Sequence, residues 1–364
     1  MIINFNEYGK ILSERPSIRK AFLNYFDEDN NYYLATGFRN SEYNPITEYH
    51  QHSKYKYDVG FYNKVNHHDL PSLFLKGQKL KNTFFGEVAG GYKQIDNPSF
   101  IDAELSECVY SVFVFLKMYL GESYQIVMVR PNDFKEFIIS SETYNGILSF
   151  KGNIFFSSIP KDNIKGYYDV SHYGVGVKLL VKDKEGNAIR VAKADIIYQN
   201  DKPIGINFEI DLNALNAIKN HYPSAIYGSN ACTDDIAYFI KEEEENEKMV
   251  NALLGILGIY TSFKNISLVD QNIIKIYIDV IASICIIKDY SLEDLRTIIE
   301  KMLEGLHKSN PKMVDSLIEA IDQNIKLIYD VAYHTKRKKE LKNYREIAVD
   351  KIQSKEAQRI KKPQ

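Results

Sequence analysis

The stretch Asp169-Val-Ser-His172-Tyr-Gly-Val-Gly-Val177 places a histidine at the start of a segment in which apolar residues recur at every second position. Alternation with a period of two predicts a half-buried β-strand. Lys182-Asp-Lys-Glu-Gly-Asn187 follows as a strong turn signal, and residues 188–198 return as the second arm of a predicted hairpin. The hairpin fixes which residues stand beside the histidine.

Pairing in this hairpin indicates which polar group can orient the imidazole. With a two-residue turn at its end, His172 lies opposite Gln199, and a slightly shifted register brings Asp201 to the same place. Asp195 carries a negative charge, which would orient an imidazole better than an amide does, but it lies about four residues along the strand, or roughly 13 Å away. Gln199 is therefore the predicted third residue, with the two aspartates as alternatives.

A second stretch, Tyr227-Gly-Ser-Asn-Ala-Cys232-Thr-Asp-Asp-Ile-Ala-Tyr-Phe-Ile240, places a cysteine where a polar loop becomes an amphipathic helix. Ser229 and Asn230 are candidate N-caps of that helix. A helix N-terminus beside an imidazole stabilises a thiolate, and it leaves the backbone N–H of Cys232 available for an oxyanion hole. The predicted pair is Cys232 as nucleophile and His172 as general base, with no metal or cofactor.

This order of motifs resembles the circularly permuted NlpC/P60 group of papain-like thiol enzymes, which includes the lecithin–retinol acyltransferase-like proteins. His172 matches the family's base and Cys232 its nucleophile, over roughly residues 165 to 245. The family usually has Asn directly before the cysteine, whereas Ala231 intervenes here. The resemblance implies a hydrolase or acyltransferase acting on lipid esters, peptidoglycan peptides or protein amides, and some members resemble antibacterial effectors of contractile secretion systems.

The fold class predicted for the whole chain is α+β, in three parts. Residues 1–160 form an N-terminal α+β region, 161–248 the NlpC/P60-like core, and 249–364 a helical domain with a basic tail. Glycine-rich Phe84–Gly91 predicts a turn, and Ile101–Leu120 predicts a helix with a buried Cys108. Apolar periodicity predicts four further helices: Val250–Phe263, Asn272–Ile287, Leu292–Leu306 and Met313–Val331.

Charge and composition limit the partners. A formal net charge of −2 provides no overall field to attract nucleic acid. The segment Lys336–Gln364 holds eleven Lys and Arg against four acidic residues, which could meet anionic lipid, whereas the acidic run Glu242–Glu247 predicts a solvated helix face. Asn66-His-His-Asp69 lacks the spacing of a metal site.

Three widely spaced cysteines predict a reducing compartment, and no secretory signal is expected at the N-terminus. These features predict a protein that is cytoplasmic in the producing cell and, if exported, uses a machine that does not read such a signal. The apolar runs of the first two C-terminal helices fall short of the roughly 20 uninterrupted apolar residues that span a bilayer. They predict a helical bundle, with insertion into a membrane or binding along its surface as the alternative.

The leading functional hypothesis is a cysteine-dependent hydrolase or acyltransferase that acts on phospholipid acyl esters, as a secreted antibacterial toxin with a cognate immunity protein or secretion component. A peptidoglycan amidase or peptidase is the closest alternative. Cys108 is a rival nucleophile, because it precedes His172 in the unpermuted order. A non-enzymatic protein that binds a partner or a membrane is the alternative of another class.

Overall fold

The computed structural model of the chain describes residues 18–27, 32–39, 56–65, 70–77, 80, 82–121, 123–131, 153–157, 166–167, 172–182, 188–241, 243–262, 266–334 and 343–361. The fold is α+β, as the sequence predicts. The central turn residues 183–187 and the Asn66–Asp69 segment lie outside the described residues.

The described chain contains both helices and strands up to residue 211, and every later element is helical. The elements in chain order are α1 (Ile18–Asp27), β1 (Tyr32–Arg39), β2 (Tyr57–Val65), α2 (Leu70–Phe74), β3 (Phe85–Gln94), α3 (Ile101–Leu120), β4 (Gln125–Pro131), β5 (Asn153–Ser157), β6 (Gly166–Tyr167), β7 (His172–Lys182), β8 (Ala188–Gln199), β9 (Lys202–Asp211), α4 (Leu212–Lys219), α5 (Asp234–Ile240), α6 (Glu244–Ser262), α7 (Leu268–Lys288), α8 (Leu292–Gly305), α9 (Pro311–His334) and α10 (Tyr344–Lys361).

The described strands form one sheet in the order β1-β2-β3-β9-β8-β7-β4-β5, with β6 beside β7. Each successive pair from β3 through β9, β8 and β7 to β4 is antiparallel. The pairs of β1 with β2 and of β4 with β5 are parallel. The predicted hairpin is confirmed as β7 and β8. The third strand of this meander, β9, was missed by the sequence interpretation.

The chain divides into two compact units. Unit 1 contains residues 1–63 and 87–221, and unit 2 contains residues 64–86 and 222–364. These boundaries differ from the ones predicted from the sequence, after residues 160 and 248. Residue 160 is not a boundary in the structure, because β9 pairs with β3 and β7 pairs with β4, which joins the two sides of that position in one sheet.

Unit 1 buries one face of its sheet under helices. Val175, Val177 and Leu179 alternate along β7 and are at most 2% exposed, and α3 contacts β8 and β9 beside them. Helix α1 joins the same core, since the ring of Phe26 stacks on that of Phe208 in β9 at 5.5 Å. The alternating apolar side chains of the strands and the helically spaced apolar side chains of α3 therefore pack together in one apolar layer.

Unit 2 is built around α6. Between Met249 and Ile259, eight apolar residues of this helix are at most 1% exposed, so it is apolar on every side and lies inside the unit. Helices α5 and α7 contact it. Helix α10, which the sequence analysis treated as a basic tail, packs on α7 and α9 through Tyr344, Ala348 and Ile352.

Two local predictions have opposite outcomes. The helix predicted at Ile101–Leu120 is confirmed with those bounds. The turn predicted at Phe84–Gly91 is wrong, because the segment forms β3. Its glycines serve packing: a Cβ atom at Gly91 would lie within 3.0 Å of the side chains of Val59 and Phe208, so only glycine fits between the neighbouring strands.

Candidate functional site

His172 begins β7 and lies opposite Gln199 of β8, so the predicted register is confirmed. The histidine is 8% exposed, and Gln199 is exposed. Gln199 is the last residue of β8, because Asn200 and Asp201 form a two-residue turn between β8 and β9, with positive φ of 49° and 60°. That conformation is the type I′ hairpin turn.

The two aspartates considered as alternatives to Gln199 have other partners. Asp201 accepts a hydrogen bond from the Tyr173 hydroxyl at 2.7 Å, and the Tyr173 ring stacks on that of Tyr198 at 5.1 Å. Asp195 lies opposite Gly176, four residues along the strand from the histidine, and forms an ion pair with Lys193. Gln199 therefore remains the residue across from His172.

Cys232 lies in a loop of unit 2, two residues before the first residue of α5. The N-cap of α5 is Thr233, whose hydroxyl oxygen accepts the Ile236 N–H at 3.4 Å, so the predicted caps Ser229 and Asn230 are wrong. Thr233 followed by two aspartates is the stronger N-terminal signal, because acidic residues in the first turn complement the helix dipole. The cysteine is therefore outside the helix.

The backbone of the loop also uses the group that was predicted for an oxyanion hole. The Cys232 N–H donates to the Ser229 carbonyl at 3.0 Å. The loop is held against the end of α8, since a Cβ atom at Gly305 would lie within 3.0 Å of the Asn230 carbonyl oxygen. In this conformation the amide is engaged and cannot bind a developing oxyanion, contrary to the expectation from the sequence.

The surroundings of Cys232 disfavour its thiolate. Burial, and to a smaller extent the neighbouring carboxylate of Asp234, raise the pKa of the thiol to about 12. The side chain is only partly buried but packs against the apolar core of unit 2. A thiolate activated by a helix N-terminus was expected here, and the observed electrostatics act in the opposite sense.

The other two cysteines are also unsuited to nucleophilic chemistry. Cys108 is 0% exposed on α3, and burial raises the pKa of its thiol far above the ordinary value. Cys285 is 2% exposed on α7, and burial raises its thiol pKa to about 12. A substrate cannot reach Cys108 in this core, which removes the rival assignment in the conformation observed.

His172 and Cys232 belong to different compact units, and His172 and Gln199 share one. The structure therefore brings together two of the three predicted site residues, as a cross-strand pair on β7 and β8. Among the described residues, no group of three or more His, Cys, Asp and Glu side chains is arranged to hold a metal ion.

The sheet carries a charged row that the sequence analysis did not identify. Lys193 on β8 lies 2.6 Å from an oxygen of Asp195 and 3.5 Å from one of Glu209 on β9, and both acidic residues are 7% exposed. These residues alternate with the apolar ones that face α3, so they lie on the other face. Lys193 and Asp195, two positions apart on β8, were the signal that could have revealed the row. Lys193 thus contacts both carboxylates, and Lys178 of β7 interacts electrostatically with Asp195 as well, which suits a structural role.

A second buried polar cluster lies at the start of α6. The Glu244 carboxylate accepts the Gly77 N–H at 2.7 and 2.9 Å, the Tyr344 hydroxyl at 2.8 Å and the Lys248 ammonium at 2.7 Å. Lys248, with its side chain 1% exposed, also donates to the Leu75 carbonyl. Glu244 thus departs from the solvated face predicted for residues 242–247, because it joins α6 and α10 to the segment after α2.

Comparisons with known proteins do not assign the chain to a family. No protein-family model matches the sequence, and no curated protein matches it. Among solved structures, the RNA-binding domain of threonyl-tRNA synthetase from Cryptosporidium parvum Iowa II is similar with a TM-score of 0.28 and 10% identity, over 49% of this chain and 48% of that chain. The chain thus spans about half the length of that structure, and a TM-score this low supports no argument about function.

Proposed function

We propose that the protein acts by binding another molecule, with unit 2 as the binding part, and without a thiol nucleophile. The observation that carries this proposal is where the described chain exposes large apolar side chains. Seven of the eight such residues belong to unit 2: Tyr222, Tyr238, Tyr260, Leu268, Val269, Leu327 and Tyr329. A single exposed apolar residue needs no explanation, but a concentration of them is typical of an interaction surface.

The state of Cys232 supports a function without thiol chemistry. Its amide is engaged, its position is outside α5, and burial together with Asp234 raises its thiol pKa. Each of these features lowers the rate of acyl transfer, since the thiolate is the nucleophile and the oxyanion needs donors. Loss of the Cys232 sulfur should therefore leave the protein's function unchanged.

Thiol reactivity gives the first test. At neutral pH we expect Cys232 in the folded chain to react with iodoacetamide about a hundredfold more slowly than an ordinary thiol, because a pKa near 12 lowers the thiolate fraction by more than the higher nucleophilicity restores. The rate should keep rising with pH well above the ordinary thiol pKa. Mass spectrometry of the cysteine-containing peptides measures each site separately.

The same chain unfolded in urea is the control, since its three cysteines should react at ordinary thiol rates. Cys232→Ala identifies the peptide signal that belongs to this position. Rapid modification of Cys232 in the folded chain at neutral pH would contradict the proposal, because it would reveal an activated thiolate.

A cysteine-dependent hydrolase or acyltransferase is the second candidate, and the pairing of His172 with Gln199 favours it. In that candidate the chain has the permuted NlpC/P60 core as a secreted antibacterial toxin. The Cys232 sulfur attacks a phospholipid acyl ester or a peptidoglycan amide, and His172 passes the thiol proton to the leaving group. Water then releases the acyl group and regenerates the thiol.

Product release decides between the two candidates. Purified full-length chain is incubated with phospholipid vesicles and with peptidoglycan sacculi, and free fatty acids and soluble muropeptides are measured. Under the binding proposal neither product appears above the background of Cys232→Ala. Release that disappears in both Cys232→Ala and His172→Ala would replace the binding proposal with the enzymatic one.

A further inference from the structure

Lys178 of β7 lies directly opposite Lys193 of β8, beside the charged row of the sheet. Cross-strand partners share one face of a sheet, so both lysines lie on the face away from α3. Like charges at directly opposite positions destabilise a sheet. The charge of Lys193 is compensated by Asp195 and Glu209, at 2.6 and 3.5 Å, and Lys178 is a second ammonium at the same place.

A β-bulge brings a third cation to this face. The register of β7 and β8 is irregular between Leu179 and Leu180, and it places Arg190 opposite Leu180. Uninterrupted pairing would place Val191 there and would turn Arg190 toward the face that packs on α3. Bulges are frequent next to active sites, where the extra residue redirects a side chain. Arg190 is therefore a diagonal neighbour of Lys178 on the same face.

Lys178 also differs in its contacts from Lys219 and Lys248, the two other lysines whose pKa burial lowers. Lys219 donates to the Tyr119 carbonyl at 2.9 Å, and Lys248 donates to the Glu244 carboxylate at 2.7 Å. Within the ranges that the structure describes, half-buried Lys178 forms no hydrogen bond and no direct ion pair. Its ammonium form therefore lacks the acceptors that hold the proton on the other two.

The charges around Lys178 favour its neutral amine. Burial lowers the pKa of the ammonium below its ordinary 10.5, and the positive charge of Arg190 lowers it further. The Asp195 carboxylate and the Lys193 ammonium act on it in opposite directions, and the net result is a lowered pKa. A desolvated lysine beside another cation is a nucleophile that forms Schiff bases with carbonyl compounds.

We propose that Lys178 is a covalent attachment site for a small aldehyde or ketone, with Arg190 as a positioning residue that keeps the amine reactive. The Lys178 nitrogen attacks the carbonyl carbon and forms a C–N bond. The carbonyl oxygen then leaves as water with the two protons of the neutral amine, and a C=N bond remains. The site belongs to unit 1, so this inference goes beyond the binding function proposed for unit 2 and does not depend on it.

Reductive trapping with propanal tests the attachment site. The full-length chain is mixed at neutral pH with limiting propanal and sodium cyanoborohydride, which reduces the C=N bond to a stable secondary amine. Mass spectrometry of the peptides then measures each lysine. We expect Lys178 to be modified severalfold faster than Lys202, an exposed lysine of β9, because a lowered pKa leaves a larger share of the Lys178 amine unprotonated.

The chain unfolded in urea is the control for this comparison, since both lysines should then react at the same rate. Lys178→Arg keeps a positive charge at the position and identifies the peptide signal that belongs to it. Modification of Lys178 in the folded chain at the rate of Lys202, or more slowly, would overturn the proposal.

The role of the bulge is tested with Arg190→Gln. Removing this positive charge raises the pKa of Lys178, so its modification at neutral pH should become slower. Lys182→Gln is the matched control, because Lys182 is a cation of the same strand but lies four residues, or about 13 Å, along it, and the rate should not change. An unchanged rate in folded Arg190→Gln would overturn the positioning role. Circular dichroism establishes the folding of each variant, and the comparison within the unmodified chain decides the proposal whatever its result.

Discussion

Replacing Glu244 with glutamine is expected to lower the free energy of unfolding by about 2–3 kcal/mol, which is less than the roughly 3–5 kcal/mol for breaking a fully buried ion pair because the glutamate is partly exposed. The Glu244 side chain is 29% exposed, whereas that of Lys248 is 1% exposed. Glutamine keeps the shape of the side chain but leaves the buried ammonium without its counter-charge. Urea denaturation followed by circular dichroism measures the change.

The stability lost in Glu244→Gln should also depend on pH. Burial alone would raise the pKa of the Glu244 carboxyl, but hydrogen bonds from Lys248, Tyr344 and Gly77 outweigh it and hold the pKa below the ordinary 4.5. An acid whose pKa is lower in the folded state stabilises the fold above its unfolded pKa, and this stabilisation is lost as the pH falls through the folded value. The difference between wild type and Glu244→Gln should therefore be full above about pH 5 and shrink below pH 4.5.

Glu245→Gln is the matched control. Its carboxylate lies 3.9 Å from the ammonium of Lys76, whose side chain is 60% exposed, and such surface pairs contribute about 0–1 kcal/mol. A loss in Glu245→Gln as large as that in Glu244→Gln would show that the general acidity of this turn matters, and not the network around Lys248.

Local pairing explains why the register at His172 could be predicted. The hairpin of β7 and β8 joins neighbouring parts of the chain, so a turn signal and alternation suffice to place His172 opposite Gln199. Helix α3 could be predicted equally well, since its apolar residues recur at helical spacing over twenty residues. These elements need no information from distant parts of the sequence.

The environment of Cys232 could not be predicted in the same way. Ser229, Asn230 and Thr233 are all good N-caps, and the choice among them depends on how the loop packs against Gly305, seventy-five residues beyond Asn230. The structure of the glycine-rich segment in β3 also depends on contacts with residues distant in sequence. A glycine-rich segment predicts a turn locally, but packing against Val59 and Phe208 decides for a strand.

Helix α10 shows that ion pairs between residues distant in sequence also could not be predicted. Its many basic residues predicted a solvated tail, but Lys351 and Lys355 each lie 2.5 Å from an oxygen of Asp289 at the end of α7. Lys351 also donates to the Ile287 carbonyl at 2.7 Å. Cations at a helix C-terminus complement its dipole, and the distance in sequence hides this pairing.

Gly258→Ala, in the interior of α6, is expected to lower the free energy of unfolding by about 2 kcal/mol, although the same change in an exposed helix would stabilise it by about 1 kcal/mol. The reason is the Phe85 ring, whose atoms nearest the backbone would lie within 3.0 Å of the added Cβ atom. A ring clashing near its attachment point cannot swing away, so the backbone of α6 or β3 must move.

Two further variants separate this clash from helix propensity. Asn272→Ala, at an exposed position of α7, should be neutral or slightly stabilising because it gains propensity without a clash. Gly258→Ala/Phe85→Leu should lose less stability than the sum of its single changes, since the smaller side chain makes room for the new methyl group. An increase in stability for Gly258→Ala alone would contradict the close packing of α6 against Phe85.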